Sequence, residues 1–478
     1  MKEKTIFKKV LLVFKICYLF YLLLAFNAFL NGTTIMNYAA YIITVWGIIM
    51  LLWMLPNYKV YMKMPNIWVL AVFVISYIIS AILNRKYGIS GNVKAVIWMV
   101  FPIALLYVST AGMEKAEVKK EMNIISLIYL VYTTVANGVS LSMVYWGRNL
   151  EFTDLSGGIH AIGFRWGRLW GIYDDPNHGA TISVIAVIVA ISLIINVKKI
   201  WMKVLLGVSA FINYIYIVFS DSRTGVICMG ISVAMALFFM LSLKMKTKRG
   251  CTKIFAAILI SVIAGSTCIG ISAGVKEGYN KLDVVIVKKI AQKKALESKK
   301  NGVKTPQNKY KKAVIGRKDD ISQDASNGRL NIWKSGFEIV KENPLFGVSY
   351  RNMSAYAQEN LPDSYIVKNA AGIQYDSMHN LEMDILVSQG VAGIIVFFVL
   401  VIQMGAYLIR GRKKLPLENR SLAAEAFTMA LVIGVASTFL SIIFYVNTPQ
   451  GFCFWLALGY LTALMRQKPE KVDREVEV

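Results

Sequence analysis

The chain alternates long apolar runs with short polar breaks, at a spacing that selects membrane-spanning helices. A span needs about 20 mainly apolar residues, and runs of that length fall near 10–30, 35–55, 66–83, 92–110 and 123–146. Seven more fall near 177–196, 200–219, 224–242, 254–274, 381–409, 421–445 and 450–465. The pattern predicts an all-α polytopic membrane protein of about 12 transmembrane helices. Five helices occupy 1–146, four occupy 177–274 and three occupy 381–465. A first polar loop spans 147–176, a large, partly helical loop spans 275–380 between the ninth and tenth helices, and a tail covers 466–478.

Charge then orients the helices. Lys59 and Lys63, Lys115, Lys119 and Lys120, and Lys198 and Lys199 fall on alternate connections, as do the basic clusters 244–249, 410–414 and 466–468. The positive-inside rule puts these connections and both termini in the cytoplasm. The loops 31–34, 84–91, 147–176, 220–223, 275–380 and 446–449 then face outward, with Arg85 and Lys86 as minor exceptions. The register stays consistent across every crossing, which is stronger support than any one run.

Composition agrees. Of 478 residues, 56% are hydrophobic and 17% charged, and mean hydropathy is +0.52; soluble domains carry about a quarter charged residues. The net charge of +25 sits mainly in loops, where topology requires cations, so nucleic acid is not the implied partner. Cys17, Cys228, Cys251, Cys268 and Cys453 show neither disulfide nor metal-ligand spacing, and four of them lie inside apolar runs, where cysteine acts as a small hydrophobe. The segment from Met1 to Lys9 precedes an apolar run with no small-residue cleavage site and reads as the start of a retained helix.

Two outward regions are large enough for chemistry. The glycine-rich 147–176 loop carries Arg148, Arg165 and Arg168. In the 275–380 insert, the stretch from Lys276 to Lys318 holds 14 Lys and Arg against three acids, Glu277, Asp283 and Glu297. Such a stretch either attracts anionic lipid or glycan or is a solvated excursion. Further on, Ile332, Trp333, Gly336, Phe337, Ile339 and Val340 form one helical face, ended by Asn343-Pro344. That helix either lies in the membrane interface or packs against the outer domain.

Candidate chemistry rests on few residues. Of the three histidines, His160 sits in a flexible-looking loop without an evident partner, and His178 follows Asp174-Asp175-Pro176-Asn177 at a span start, where a capping role is natural. His379 stands at the re-entry of the chain into the apolar region, with Glu382 three residues on, so placed in a helix that Glu382 would share its face and orient the imidazole. Arg168 and Arg223 each stand at an outward span end, and a guanidinium suits phosphate because its donor fork matches the oxygens and keeps its charge. Two arginines and a histidine so placed are able to face one cavity. The alternative for Arg223 is a snorkelling or capping role.

These residues carry a resemblance. Arg168-Leu-Trp-Gly-Ile-Tyr-Asp-Asp-Pro-Asn177 resembles the R-x-x-G-x-x-x-x-P-N signature of the O-antigen ligase and polymerase superfamily. Ser222-Arg223-Thr-Gly225 is similar to its serine-arginine turn, and Arg329-Leu-Asn-Ile-Trp333 with Asn343-Pro-Leu-Phe-Gly347 is similar to its outer-domain helix and turn. His379-Asn380 with Gly390 and Gly393 resembles its H-N…G-x-x-G re-entry. The likeness covers about 165–395 in the family's order; the lysine-rich segment and the second acid of Asp174-Asp175 depart from it.

The resemblance implies a metal-independent, cofactor-free glycosyltransferase acting on glycan linked to undecaprenyl pyrophosphate in the bacterial cytoplasmic membrane, at its extracytoplasmic face. The family's histidine matches His379 and its two arginines match Arg168 and Arg223. On this reading His379 is the general base, Arg168 and Arg223 are the pyrophosphate clamp, and Arg165, Asn177, Arg329, Asn380 and Glu382 are expected to bind substrate. The expected activity is polymerisation of repeat units into capsular or O-antigen-like polysaccharide, beside a flippase and a chain-length regulator. Polymerase is preferred because a Lys-, Ile- and Asn-rich composition suggests an AT-rich genome, and many such bacteria lack lipid A–core as acceptor. A ligase moving finished glycan to another acceptor is the alternative. A flippase or other transporter is disfavoured because no repeat is visible and, Lys15 aside, few ionisable groups fall inside the spans.

Overall fold

The computed structural model describes residues 2–146, 149–153, 159–244, 251–300, 314–316, 326, 328–369, 372, 374–412 and 415–466. Arg148, most of the basic cluster 244–249, Lys413, Lys414, nearly all of the 466–478 tail and most of 301–327 lie outside the described residues. The helices are α1 (Lys2–Ala25), α2 (Thr34–Met54), α3 (Ile67–Leu83), α4 (Ser90–Phe101), α5 (Lys115–Trp146), α6 (Pro176–Asn196) and α7 (Ile200–Phe219). They continue as α8 (Arg223–Lys244), α9 (Cys251–Lys300), α10 (Arg329–Glu342), α11 (Met353–Asn360), α12 (Leu381–Arg412), α13 (Arg420–Ser437) and α14 (Pro449–Arg466).

The protein is an all-α polytopic membrane protein. Among the described residues, nine helical stretches are long and apolar enough to cross a membrane. They correspond to α2, α4 to α9, α12 and α13; α4 is lengthened by a π-helical turn, Pro102–Tyr107. The predicted count of twelve adds α1, α3 and α14, which lie outside that set; α3 is apolar but shorter. Large apolar side chains such as Tyr41, Ile42, Phe255, Val262, Phe398 and Ile402 are exposed, while Lys15, Asn137, Asn213, Asp384 and Gln389 are buried. That inversion suits a lipid-facing exterior, where polar groups are satisfied internally.

Three predicted boundaries change. The glycine-rich 147–176 loop is a three-stranded antiparallel sheet of β1 (Leu150–Thr153), β2 (Ile159–Arg165) and β3 (Arg168–Gly171). Trp166 and Gly167 join β2 to β3 with φ of 50° and 69°, the two positive angles of a tight hairpin turn. The ninth predicted helix does not stop at 274: α9 continues to Lys300. The predicted run 421–445 ends as a helix at Ser437. Beyond it, Leu440, Ile442, Ile443, Phe444 and Tyr445 are buried in irregular backbone. The carbonyls of Thr438, Phe439, Ile442 and Ile443 accept from Asn380, Arg329, Thr448 and Trp455 side chains. Apolar composition mimics a span there, and side-chain donors replace the helical ladder.

The chain divides into two compact units: 1–19, 41–125 and 328–478 form one, and 20–40 with 126–327 form the other. In the first unit, Lys15 pairs with Glu121 at 2.7 Å and Tyr460 donates to the same carboxylate at 2.9 Å. Helix α10 buries Ile332, Ser335, Gly336 and Ile339, with Gly336 against Met378, Met383 and Val387, whereas Phe337 faces out. The amphipathic helix thus packs onto α12. In the second unit, α6 is buried over most of its length, with Asn137 donating to Ser183 and Asn213 at 2.8 Å each and accepting from the Tyr173 hydroxyl at 3.0 Å.

Candidate functional site

In the second unit, the hairpin sets Arg168 at the start of β3, 8% exposed. Its Nε donates to the Ser220 carbonyl at 2.8 Å and its Nη2 donates to Asn177 Oδ1 at 2.7 Å. Arg168, Asn177 and the turn before Arg223 are therefore brought together. Asp175 caps α6, accepting from the backbone N–H of Asn177 at 2.5 Å and of His178 at 3.1 Å. Burial pushes the Asp175 carboxyl up, but His178, Arg168 and the two N–H donors together hold it below its usual range. His178 thus lies in the first turn that Asp175 caps, and its ring packs on Phe26 at 5.1 Å.

Arg223 opens α8 and is exposed. The turn that presents it is held from within: Ser222 Oγ accepts from Gly225 N at 3.2 Å, and Asp221 adopts a left-handed φ of 49°. Arg165 ends β2, pairs with Glu151 at 3.0 Å and lies over the Trp166 ring at 4.4 Å. His160 is not partnerless: its Nδ1 lies 2.8 Å from Asp174 Oδ1, and Asn31 donates to the other oxygen of the same carboxylate. The partner is 14 residues away, beyond the reach of local pattern.

In the first unit, His379 adopts a left-handed φ of 51°, uncommon for a residue with a side chain. Its N–H donates to Ser377 Oγ at 3.0 Å and its ring meets Tyr375 edge-on at 6.1 Å. Asn380 is the cap of α12, with Oδ1 accepting from Met383 N at 2.7 Å and Nδ2 donating to the Thr438 carbonyl at 2.9 Å. Arg329 Nη2 donates to the next carbonyl, Phe439, at 3.2 Å, so Arg329 and Asn380 hold one segment. Because His379 precedes the helix in left-handed backbone, the helical spacing that would align it with Glu382 does not apply. Among the described residues, Oε2 of Glu382 is buried without a hydrogen-bonding partner.

Two features went unread in the sequence. Asp384 is fully buried; its Oδ1 accepts from Met378 N at 2.7 Å and its Oδ2 accepts from Ser441, with Ser377 at 3.5 Å. It ties the irregular backbone before His379 to the irregular 438–448 segment. An acid inside an apolar run was the available signal. The second is a break in α12 at Gly390, whose φ of 62° and ψ of −159° suit glycine alone. There Val391 N and Ala392 N donate to the carbonyls of Pro344 and Leu345, while Val348 N and Ser349 N donate to those of Val387 and Ser388. The Asn343-to-Gly347 turn and the Gly390 region are thus two halves of one contact. Gln389, beside the break, bonds to Ser76 and Tyr445.

Arg165, Arg168, Asn177 and Arg223 belong to the second unit, and Arg329, His379, Asn380 and Glu382 to the first. Among the described residues, no three His, Cys, Asp or Glu side chains gather closely enough to hold a metal ion. Residues 208–398 match the family model described as O-antigen ligase. The match contains Arg223, Arg329, His379, Asn380, Glu382 and Asp384; Arg165, Arg168 and Asn177 precede it. Comparison with curated proteins returns no match.

Proposed function

Since the chain belongs to the O-antigen ligase and polymerase superfamily, we propose that it polymerises undecaprenyl-pyrophosphate-linked oligosaccharide repeat units. The product is surface polysaccharide, of capsular or O-antigen-like type. The enzyme sits in the bacterial cytoplasmic membrane with both termini cytoplasmic and its reaction on the extracytoplasmic face. A flippase supplies its substrate and a chain-length regulator works beside it.

The observation that carries this reading is the backbone at His379. A left-handed φ on a residue with a side chain costs about 1–3 kcal/mol, and such strain gathers at active sites. Here Ser377, Asp384 and the Asn380 cap hold it in place at the head of an apolar helix.

The chemistry follows from the groups. An acceptor-sugar hydroxyl attacks the anomeric carbon of the donor glycan as His379 accepts its proton. A new C–O bond forms, and the bond from that carbon to the pyrophosphate oxygen breaks. The departing lipid pyrophosphate gains negative charge, which Arg168 and Arg223 neutralise through guanidinium donors. Arg165, Asn177, Arg329 and Asn380 shape the substrate sites. Oε2 of Glu382, unpartnered among the described residues, is a ready acceptor for a sugar hydroxyl.

A ligase transferring finished lipid-linked glycan to another acceptor is the second reading, favoured by the family description over residues 208–398. Purified enzyme incubated with lipid-linked repeat units separates the two. A ladder of lengths is expected for the polymerase, and a single transfer to an added acceptor would establish the ligase instead. His379→Ala should abolish transfer while the protein still inserts; product at wild-type rate would refute the general-base role.

A further inference from the structure

Beyond its predicted end at 274, α9 runs into the lysine-rich stretch whose role the sequence left open. Lys276 and Asn280 lie one turn apart on that extension and therefore share a face. Lys276 Nζ is 2.9 Å from Asp221 Oδ1, in the turn between Ser220 and Arg223. Tyr279, on the same turn of helix, meets Phe219 with ring centroids 4.6 Å apart. Asn280 donates to the Ile315 carbonyl at 2.7 Å and accepts from the Ile315 N–H at 2.8 Å, satisfying both backbone groups of one buried residue. The next residue, Gly316, donates its N–H to the Gly167 carbonyl at 2.9 Å. A Cβ on Gly167 would lie 2.5 Å from the Gly316 oxygen, so the segment sits directly on the hairpin turn that leads into Arg168.

One helix face thus reaches the backbone beside both arginines: through Asp221 to the turn carrying Arg223, and through Ile315 and Gly316 to the turn carrying Arg168. Arg168 already binds the carbonyl of Ser220, the residue before Asp221. We propose that Lys276 and Asn280 are positioning residues that set the spacing of the Arg168 and Arg223 guanidiniums for a pyrophosphate group. This rests on the clamp role proposed above. Neither residue touches substrate. Each acts through the turn it holds, and guanidinium placement matters because small displacements of a charge-stabilising group forfeit much of its effect.

The test uses the full chain in lipid nanodiscs. Inorganic pyrophosphate serves as a competing probe of the clamp, alongside steady-state kinetics with lipid-linked repeat units. Lys276→Met and Asn280→Ala are each expected to weaken pyrophosphate inhibition and to lower kcat/KM for the donor by about tenfold to a hundredfold. KM for the acceptor should stay unchanged. Lys276→Arg should restore most of the loss, as should the exchanged pair Lys276→Asp with Asp221→Lys, which a merely structural contact to the helix would not require. Wild-type pyrophosphate inhibition in both Lys276→Met and Asn280→Ala, with Arg168→Lys and Arg223→Lys impaired, would overturn the positioning role and leave the clamp standing. Wild-type inhibition in Arg168→Lys and Arg223→Lys would overturn the clamp itself. If Lys276→Met fails to insert, Lys276→Arg and the exchanged pair decide: failure of both to retain donor kcat/KM overturns the inference.

Discussion

Removing the Asp384 carboxylate is the sharpest test of how the His379 segment is held. In Asp384→Ala, Met378 N–H loses an acceptor at 2.7 Å, and Met378 is fully buried, so water does not replace it. An orphaned buried amide costs about 1–3 kcal/mol, and the lost bond from Ser441 adds about 1 kcal/mol. Ser377 and Ser441 keep each other as partners at 2.7 Å, which limits the damage. The expected total is about 2–4 kcal/mol, a fall in melting temperature of roughly 5 °C for a chain of this size. Because Met378 immediately precedes His379, losing its anchor on Asp384 frees the strained backbone at His379. Turnover should fall about a hundredfold as the imidazole leaves its position. Asp384→Asn keeps one carbonyl oxygen for Met378 N–H, and the Ser441 hydroxyl can rotate to accept, so it should lose far less on both measures. Thermal unfolding of the purified protein in detergent, paired with turnover on lipid-linked repeat units, gives both numbers. Wild-type melting and turnover in Asp384→Ala would refute the role assigned to this carboxylate.

Gly390→Ala should yield little folded protein, because the new Cβ would lie 2.4 Å from the Leu345 carbonyl carbon at a backbone conformation reserved for glycine; a monodisperse extract at wild-type yield would contradict the paired-turn contact. Arg223→Lys should lower kcat/KM for the donor by about tenfold or more, since a point charge replaces a two-pronged donor. Unchanged donor kinetics would reduce Arg223 to a helix-start residue. Exhaustive chelation should leave transfer intact, measured as product per unit time before and after dialysis against chelator; a strict need for added divalent ion would refute charge neutralisation by arginine alone.

Much of this protein is local and was therefore legible. Runs of about 20 apolar residues can do little but form helices in lipid, so the all-α polytopic architecture follows from hydropathy alone. The family motifs marked the neighbourhoods of Arg168, Arg223 and His379 for the same reason, since each is contiguous. The α10 helix was visible in its period, although which residues it buries was not, and Phe337 faces out.

What tertiary structure decided is every relation between segments far apart in the chain. The 438–448 segment is as apolar as a span, yet it is not helical, because Arg329, Asn380 and Asp384 supply polar partners to it. The 147–176 stretch becomes a sheet through pairing of its own strands, a cooperation that glycine content hides. The Pro344-to-Gly347 turn and Gly390 looked like separate motifs and are one backbone contact. His379 acquires its left-handed geometry from Ser377 and Asp384, and Arg168 acquires its position from Ser220 and Asn177. Hydropathy reads how a residue partitions between water and lipid; it carries no information on which distant donor meets which acceptor, and the candidate chemistry of this chain depends on those meetings.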